Sequence, residues 1–383
     1  MSVFNGNPPK SKFLLVEPIS KTPYPPLGLM KIASMLKDKH KGCEIYTQVG
    51  NGIPERITSP DKIFITSLFT WDCVRLIESI KYYRWNFSDS EIVVGGIAAS
   101  LLQDEIYSLT GIKPHIGLYD DAEFYPPDYS YDFGRSNLAS ITFTTRGCVN
   151  SCPFCNVRDL EPRFFVKQDW EKDVNIDFPS IVFWDNNFLA SPNFARDCQK
   201  ILSLNKRIDF NQGLDPRLLD EKAAKQLFKI HLDPIRFSFD GIGYEDAVVK
   251  SIRLAKKYSG REIAVYVLYN YQDTPEELYY RIDLLNREGA LAFPMEYRFP
   301  SMKTQKLPGP YWNTFLLRAF KLTLLFYYRK GMITESRESF LSIYGHSEKE
   351  FISRLYDIYN YDKSIKRAKK SSGSPPLGSC VND

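Results

Sequence analysis

Two alternating series of apolar and polar stretches run along this chain, with a short aromatic, turn-rich interval between them. In the first series, residues 13–17 are an apolar run of strand length. After Pro23, Pro25 and Pro26, residues 27–36 place apolar side chains at helical spacing. Residues 44–49 and 63–69 read as strands, 74–85 as a helix, and 91–96 as a strand closing on the pair Gly95 and Gly96. Repeated strand–helix–strand units predict a parallel, doubly wound sheet over 10–120, whose ligands bind beyond the strand C-termini. It carries no Gly-x-Gly-x-x-Gly, which argues against a dinucleotide site.

The interval 121–138 is rich in Tyr, Pro and Asp and is expected to link two domains. A second series follows over 139–304. Strands are predicted at 141–145, 181–184, 207–211, 235–239, 263–268 and 291–297, with helices between them. The clearest helix start is Thr274-Pro275-Glu276-Glu277, with Thr as N-cap, Pro at the first helical position and Glu three residues on. Leu278, Ile282 and Leu285 then share one face, and Gly289 ends the helix. Residues 305–362 are apolar at helical spacing and heavy in Phe and Tyr. Those helices are expected either to close the mouth of the second domain or to cover its side. Residues 363–383, basic and then rich in Ser, Gly and Pro, read as a disordered tail.

Composition narrows the class. The chain has 383 residues and a net charge of +4, which gives no general electrostatic case for nucleic acid. Only the basic tail offers one, and so short a run is usually solvated. No apolar run is long enough to span a membrane, and the N-terminus has no signal-peptide pattern. Seven cysteines, three clustered and four scattered (Cys43, Cys73, Cys198, Cys380), are not a disulfide framework. They read as reduced thiols of a cytoplasmic protein with one metal site.

That site is Cys148-Val-Asn-Ser-Cys152-Pro-Phe-Cys155. Three thiolates at this spacing wrap one iron–sulfur cluster from a single loop, and three ligands on a four-iron cluster leave one iron open for chemistry. A structural zinc site is the alternative, but zinc wants four ligands. The histidines His40, His115, His231 and His346 are all distant in sequence, and Cys198 would have to arrive through the fold. A non-catalytic iron–sulfur protein is a second alternative. Electron carriers usually ligate every iron, so three ligands favour catalysis.

The motif, with an aromatic residue just before the last cysteine, resembles the signature of the radical S-adenosylmethionine (SAM) superfamily. That resemblance implies a 4Fe-4S cluster on Cys148, Cys152 and Cys155, with SAM on the open iron and Phe154 near its adenine. The second series then corresponds to the partial (β/α)6 barrel of that family, with reactive groups at the strand C-terminal ends. There, Asp185-Asn186-Asn187-Phe188 resembles an Asp-Asp-x-Phe segment near SAM, with Asn186 replacing the second acid. Arg217, Ser238 and Asp240 occupy positions where SAM carboxylate or ribose is contacted. Helix capping by Asp185 and Asp215 is the alternative reading. The expected fold class is thus α/β: a doubly wound parallel sheet, a partial radical SAM barrel and C-terminal helices.

The first series resembles the cobalamin-binding-type domain of one branch of this superfamily, through Pro25-Pro26-Leu27-Gly28-Leu29 and Val94-Gly95-Gly96. Gly95 and Gly96 are then expected to approach the cofactor tail and 67–71 to line its lower face. A lower axial histidine would come from Asp-x-His-x-x-Gly. Asp38-Lys-His40-Lys-Gly42 is one residue short of it, and His40 is expected to be a helix-capping residue. Two alternatives stand: cobalamin bound without a protein histidine, or a vestigial domain. The resemblance implies hydrogen abstraction, methylation as one outcome, and an electron donor such as flavodoxin or ferredoxin. No residue pattern names the substrate.

Overall fold

Strand β1 (Lys12–Glu17) is the centre from which the first sheet grows. It pairs in parallel with β2 (Glu44–Val49) on one side and β3 (Lys62–Thr66) on the other, and β4 (Glu91–Gly95) extends the sheet beyond β3, giving the order β2-β1-β3-β4. Alternation along the strands divides the core into two layers. Leu14, Val16, Ile63 and Ile65 face Leu76, Ile80 and Tyr83 of α2 (Cys73–Asn86). Phe13, Leu15 and Phe64 face Leu29, Met30, Ala33 and Leu36 of α1 (Leu27–Lys39). Each such side chain, fully buried, contributes about 1.5–3 kcal/mol. Helices on both faces make the domain doubly wound, as its apolar strands predicted. The short helices α3 (Ile97–Leu101), α4 (Gln103–Thr110) and α5 (Asp120–Glu123) complete it.

This computed structural model describes residues 10–131, 133–135, 139–302, 308–328, 332–333 and 336–371, with side chains described to residue 364. The chain divides into two compact units, one containing Met1–Gln212, Lys229–Asp233 and Phe299–Gln305, the other the remainder. The described part of the interval 121–138 lies within the first unit. Tyr129 is half-buried, and its hydroxyl accepts from the Ile141 amide at 2.8 Å.

The first unit continues with β5 (Ala139–Thr142), a two-residue antiparallel pair β6 (Thr145–Arg146) and β7 (Phe165–Val166), β8 (Ser180–Phe183) and β9 (Arg207–Phe210). Helices α6 (Val157–Leu160) and α7 (Phe194–Ser203) lie between them. Strands β5, β8 and β9 form a parallel sheet in the order β5-β8-β9.

In the second unit, β10 (Ile235–Ser238), β11 (Ile263–Tyr269) and β12 (Leu291–Glu296) form another parallel sheet in that order. The six expected strands are therefore present as three in each unit. Helices α8 (Glu221–Leu227), α9 (Glu245–Tyr258) and α10 (Pro275–Arg287) alternate with them. The capping box at Thr274 and Glu277 forms as the sequence predicts. Helices α11 (Thr314–Tyr327), α12 (Arg337–Tyr344) and α13 (Glu348–Ser371) follow. Phe340 and Phe351 pack on Tyr279 of α10, so α12 and α13 cover the side of this sheet layer. Phe320 of α11 instead meets Tyr269 at the C-terminal end of β11.

One expectation is corrected here. Residues 363–371, read as the start of a disordered tail, continue α13 to Ser371. Lys, Arg, Ala and Ile are adequate helix formers, and the first strong breaker is Gly373. Residues 372–383, including Cys380, lie outside the described residues.

Arg281 of α10 is wholly buried. Its guanidinium donates to the Phe239 and Leu268 carbonyls and to Asp273, each at 2.8 Å, and so ties β10, β11 and the following loop together. Replacing it with Met abandons a buried carboxylate and two carbonyls, and should cost about 3–5 kcal/mol in urea unfolding. Arg253→Ala, which breaks a more exposed pair with Glu288, should cost under about 1 kcal/mol.

Candidate iron–sulfur and cofactor site

All three clustered cysteines lie on one loop between β6 and β7. The antiparallel pairs Thr145↔Val166 and Arg146↔Phe165 close its base. Gly147 turns the chain into the loop at φ +73°, where a Cβ would strike the Arg163 carbonyl. Glu161 then fastens one end to the other. Its Oε2 accepts from the Gly147 amide at 2.6 Å, and its Oε1 meets Arg146 at 2.8 Å. Within the loop the Cys155 amide donates to the Cys152 carbonyl at 3.0 Å, and Phe154 lies in the turn between them. Cys148 and Cys152 are half-buried and Cys155 is exposed.

A second grip comes from the three residues after β8. Asp185 is buried, and its carboxylate accepts from the amides of Thr144 (3.0 Å) and Thr145 (2.8 Å) and from both threonine hydroxyls (2.5 and 2.8 Å). Asn186 donates to Glu161 at 3.0 Å, and the Asn187 side-chain amide lies 3.9 Å from Cys148 Sγ. This corrects the capping reading of Asp185. It caps no helix, and its carboxylate is held by Thr144 and Thr145, the residues leading into the cysteine loop. Burial pushes its pKa up, and the threonine hydrogen bonds oppose that shift.

Beneath the loop is a buried charge cluster. Lys31 of α1 meets Glu123 at 3.3 Å, and Glu123 lies 3.5 Å from Arg146, whose guanidinium stacks on Phe143 at 3.8 Å. Lys167 pairs with Asp173 nearby. Burial lowers the Lys31 pKa to about 8, against the pull of Glu123. Burial pushes the other way on Glu123, but Arg146, Lys31 and Lys167 outweigh it and hold its pKa below the usual range. The two shifts agree physically: Glu123 is surrounded by three cations, whereas Lys31 also feels repulsion from Arg146 and Lys167.

The donor set suits a cluster. Among the described residues no three His, Cys, Asp or Glu side chains are gathered closely enough for a single metal ion. Thiolates that each hold a different iron stand further apart than ligands of one ion. The Glu161 and Asp185 bonds fasten the loop that carries all three.

At the C-terminal edge of the first sheet, Gly95 has open space where a side chain would be. Gly96 has none: at φ +96° its Cβ would lie 2.5 Å from the Ser67 carbonyl oxygen. Gly96 is thus needed for the close approach of two strand ends, and of the pair only Gly95 is open to a ligand. β3 ends at Thr66 rather than Phe69, and residues 67–71 lead from it into the short helix Thr70–Asp72. Phe69 and Trp71 stack there at 4.2 Å, with Trp71 half exposed. His40 follows the C-terminus of α1, at the opposite edge of the sheet, and its amide donates to Leu36 as a cap. The sequence reading missed His115, which a backbone bond to Val94 brings to the C-terminal edge. Its Nε2–H donates to the Leu118 carbonyl at 2.7 Å.

In the second unit, Arg217 is engaged by Asp215 through both Nε (2.8 Å) and Nη2 (2.7 Å), and stacks on Tyr244 at 4.9 Å. Asp215 also caps the short helix Pro216–Leu218, so the capping reading holds for it. The carboxylate-binding fork expected of Arg217 is therefore already occupied from two residues away. Ser238 ends β10 and hydrogen-bonds Asp240, whose pKa burial raises to about 6 while Ser238, Arg281 and Arg217 restrain the rise.

No protein-family model matches the chain. No curated protein matches it in sequence. Among solved structures it is similar to the radical S-adenosylmethionine methyltransferase TsrM from Kitasatospora setae with cobalamin and a 4Fe-4S cluster bound, at 15% identity and a TM-score of 0.61 over 76% of this chain and 77% of that one. The same enzyme with tryptophan substrate and the SAM analogue aza-SAM matches at 15% identity and 0.61, over 73% and 72%. At that identity the likeness is one of fold, shared over about three quarters of each chain.

Asp185→Ala should leave four donors without their acceptor, lower stability by at least about 2 kcal/mol and open the loop to trypsin at Arg158 and Arg163. Lys31 gives a pH test. Its folded pKa of about 8 lies below its ordinary 10.5, so between those values the unfolded chain holds more protons and stability rises with pH. The stability difference between wild type and Lys31→Met should therefore grow from pH 8 to 10.5 and stay flat below about 7.

Proposed function

We propose that this protein is a radical SAM enzyme whose Cys148, Cys152 and Cys155 hold three irons of a 4Fe-4S cluster, with methyl transfer to an unactivated carbon as its reaction class. The observation that carries the reading is the cysteine loop: three thiols within eight residues, fastened by Glu161 and Asp185, in a fold shared with a cobalamin-containing methyltransferase. Such a cluster, when bound and reduced, supplies the electron that breaks the sulfonium bond of SAM, releasing methionine and a 5′-deoxyadenosyl radical that takes a hydrogen atom from substrate.

The chain's own residues prepare the site. Phe154 offers its ring to adenine from within the cysteine turn. Within the second unit, Ser238 hydrogen-bonds Asp240, and Arg217 can bind another carboxylate only by giving up Asp215. Phe69 and Trp71 offer a flat apolar surface beside Gly95, which suits cobalamin better than a nucleotide phosphate. His40 is at the wrong edge of the sheet to ligate cobalt, and the Nε2 of His115 is used by Leu118. Cobalamin is therefore proposed to bind without an imidazole ligand.

No helix among the described residues is long and apolar enough to cross a membrane. The reading further implies a reducing, cytoplasmic setting and a small electron-donor protein such as flavodoxin or ferredoxin. A net charge of +4 gives no electrostatic support for a nucleic-acid substrate.

Anaerobic reconstitution with iron and sulfide tests this directly. About four irons per chain are expected, with an electron paramagnetic resonance spectrum that changes when SAM is added. Replacing all three cysteines with Ala should abolish both iron and SAM cleavage, and four irons retained in that variant would refute the assignment. Cobalamin titration should give a complex without imidazole ligation, unchanged by His40→Ala or His115→Ala and weakened by Trp71→Ala. No binding in protein that still cleaves SAM would mean a vestigial N-terminal domain.

A further inference from the structure

Two hydrogen-bond donors address the sulfur of Cys148, and they come from different parts of the chain. The Asn150 amide, inside the cysteine loop, lies 3.4 Å from Sγ. The Asn187 side-chain amide, from the segment after β8, lies 3.9 Å from the same atom. Asn187 is only 2% exposed, and its neighbours in sequence are fixed by other bonds: Asp185 by Thr144 and Thr145, Asn186 by Glu161. The Asn187 carbonyl also accepts from the Ala190 amide, so the backbone that carries this side chain is turned and held.

From this geometry we infer that Asn187 is a positioning and tuning residue for the Cys148 thiolate, an inference that rests on the cluster reading above. A donor aimed at a coordinating sulfur withdraws electron density from it and favours the reduced, more negative cluster, which raises the reduction potential. A buried donor does so more strongly than a solvated one, because no water competes for it. Asn187 therefore sets how readily the cluster accepts the electron that SAM cleavage consumes, acting through the Cys148 sulfur.

The test is the midpoint potential of the reconstituted protein, titrated with dithionite and followed by electron paramagnetic resonance, for wild type, Asn187→Leu and Asn187→Asp. Failure of the wild type to take up iron would refute the cluster reading itself. Where wild type is loaded, Asn187→Leu should keep its iron and shift to a more negative potential, and Asn187→Asp, equal in volume but anionic, should shift further. An unchanged potential in the loaded variants would overturn the inference. Loss of iron in Leu alone leaves the decision to Asp, where the negative shift is still required. Loss in both would overturn it in favour of a purely architectural role.

Discussion

The bond between the Glu161 carboxylate and the Gly147 amide is the constraint on which the candidate site depends. It joins the two ends of a loop that otherwise has almost no regular structure, and it does so at a glycine whose positive φ admits no side chain. A carboxylate bonded to both a main-chain N–H and a guanidinium is strongly oriented, since charge-assisted hydrogen bonds are about twice as strong as neutral ones. With the loop ends fixed, the cysteines between them have little freedom to move apart. The short β6–β7 ladder alone, two residues on each side, would be marginal.

The same carboxylate belongs to a chain of opposite charges that reaches into the N-terminal sheet domain: Glu161 to Arg146, Arg146 to Glu123, and Glu123 to Lys31 on α1. Burying so many charges costs desolvation energy that hydrophobic side chains would not. What the arrangement provides is geometry. Each member has a directional partner, and the loop carrying the cysteines is referenced to a helix more than a hundred residues earlier. The polar cluster fixes orientation, while the apolar layers on either side of β1 and β3 supply the stability that offsets it.

What could be read from the sequence was what is local. The apolar run at 13–17 and the capping box at Thr274 were legible because neighbours determine them. The cysteine motif was legible for the same reason: its spacing is its chemistry. Asp185 was not, because its partners Thr144 and Thr145 lie some forty positions away and an acidic residue after a strand looks the same whether it turns inward or outward. Arg281 gave no signal either, since an arginine in a helix beside tyrosines reads as a surface residue until the strand carbonyls above it are known. The basic run after 362 misled in the other direction: its composition suits a solvated helix as well as a disordered segment, and only the position of the first glycine distinguishes them.

The dependence of the loop on Asp185, Asn186 and Asn187 has a bearing on biogenesis. During synthesis all three cysteines and Glu161 emerge before Asp185, Asn186 and Asn187, so the nascent chain passes through a stage at which every thiol is present and only one of the two fastenings can form. Contacts this distant form late, after the strands between them have paired. On the cluster reading proposed above, delivery would wait for β8 to dock, which would separate exposure of the thiols to oxidation from completion of the loop that holds them. A truncated chain ending near residue 180 would contain the whole motif and the Glu161 fastening but lack the grip of Asp185.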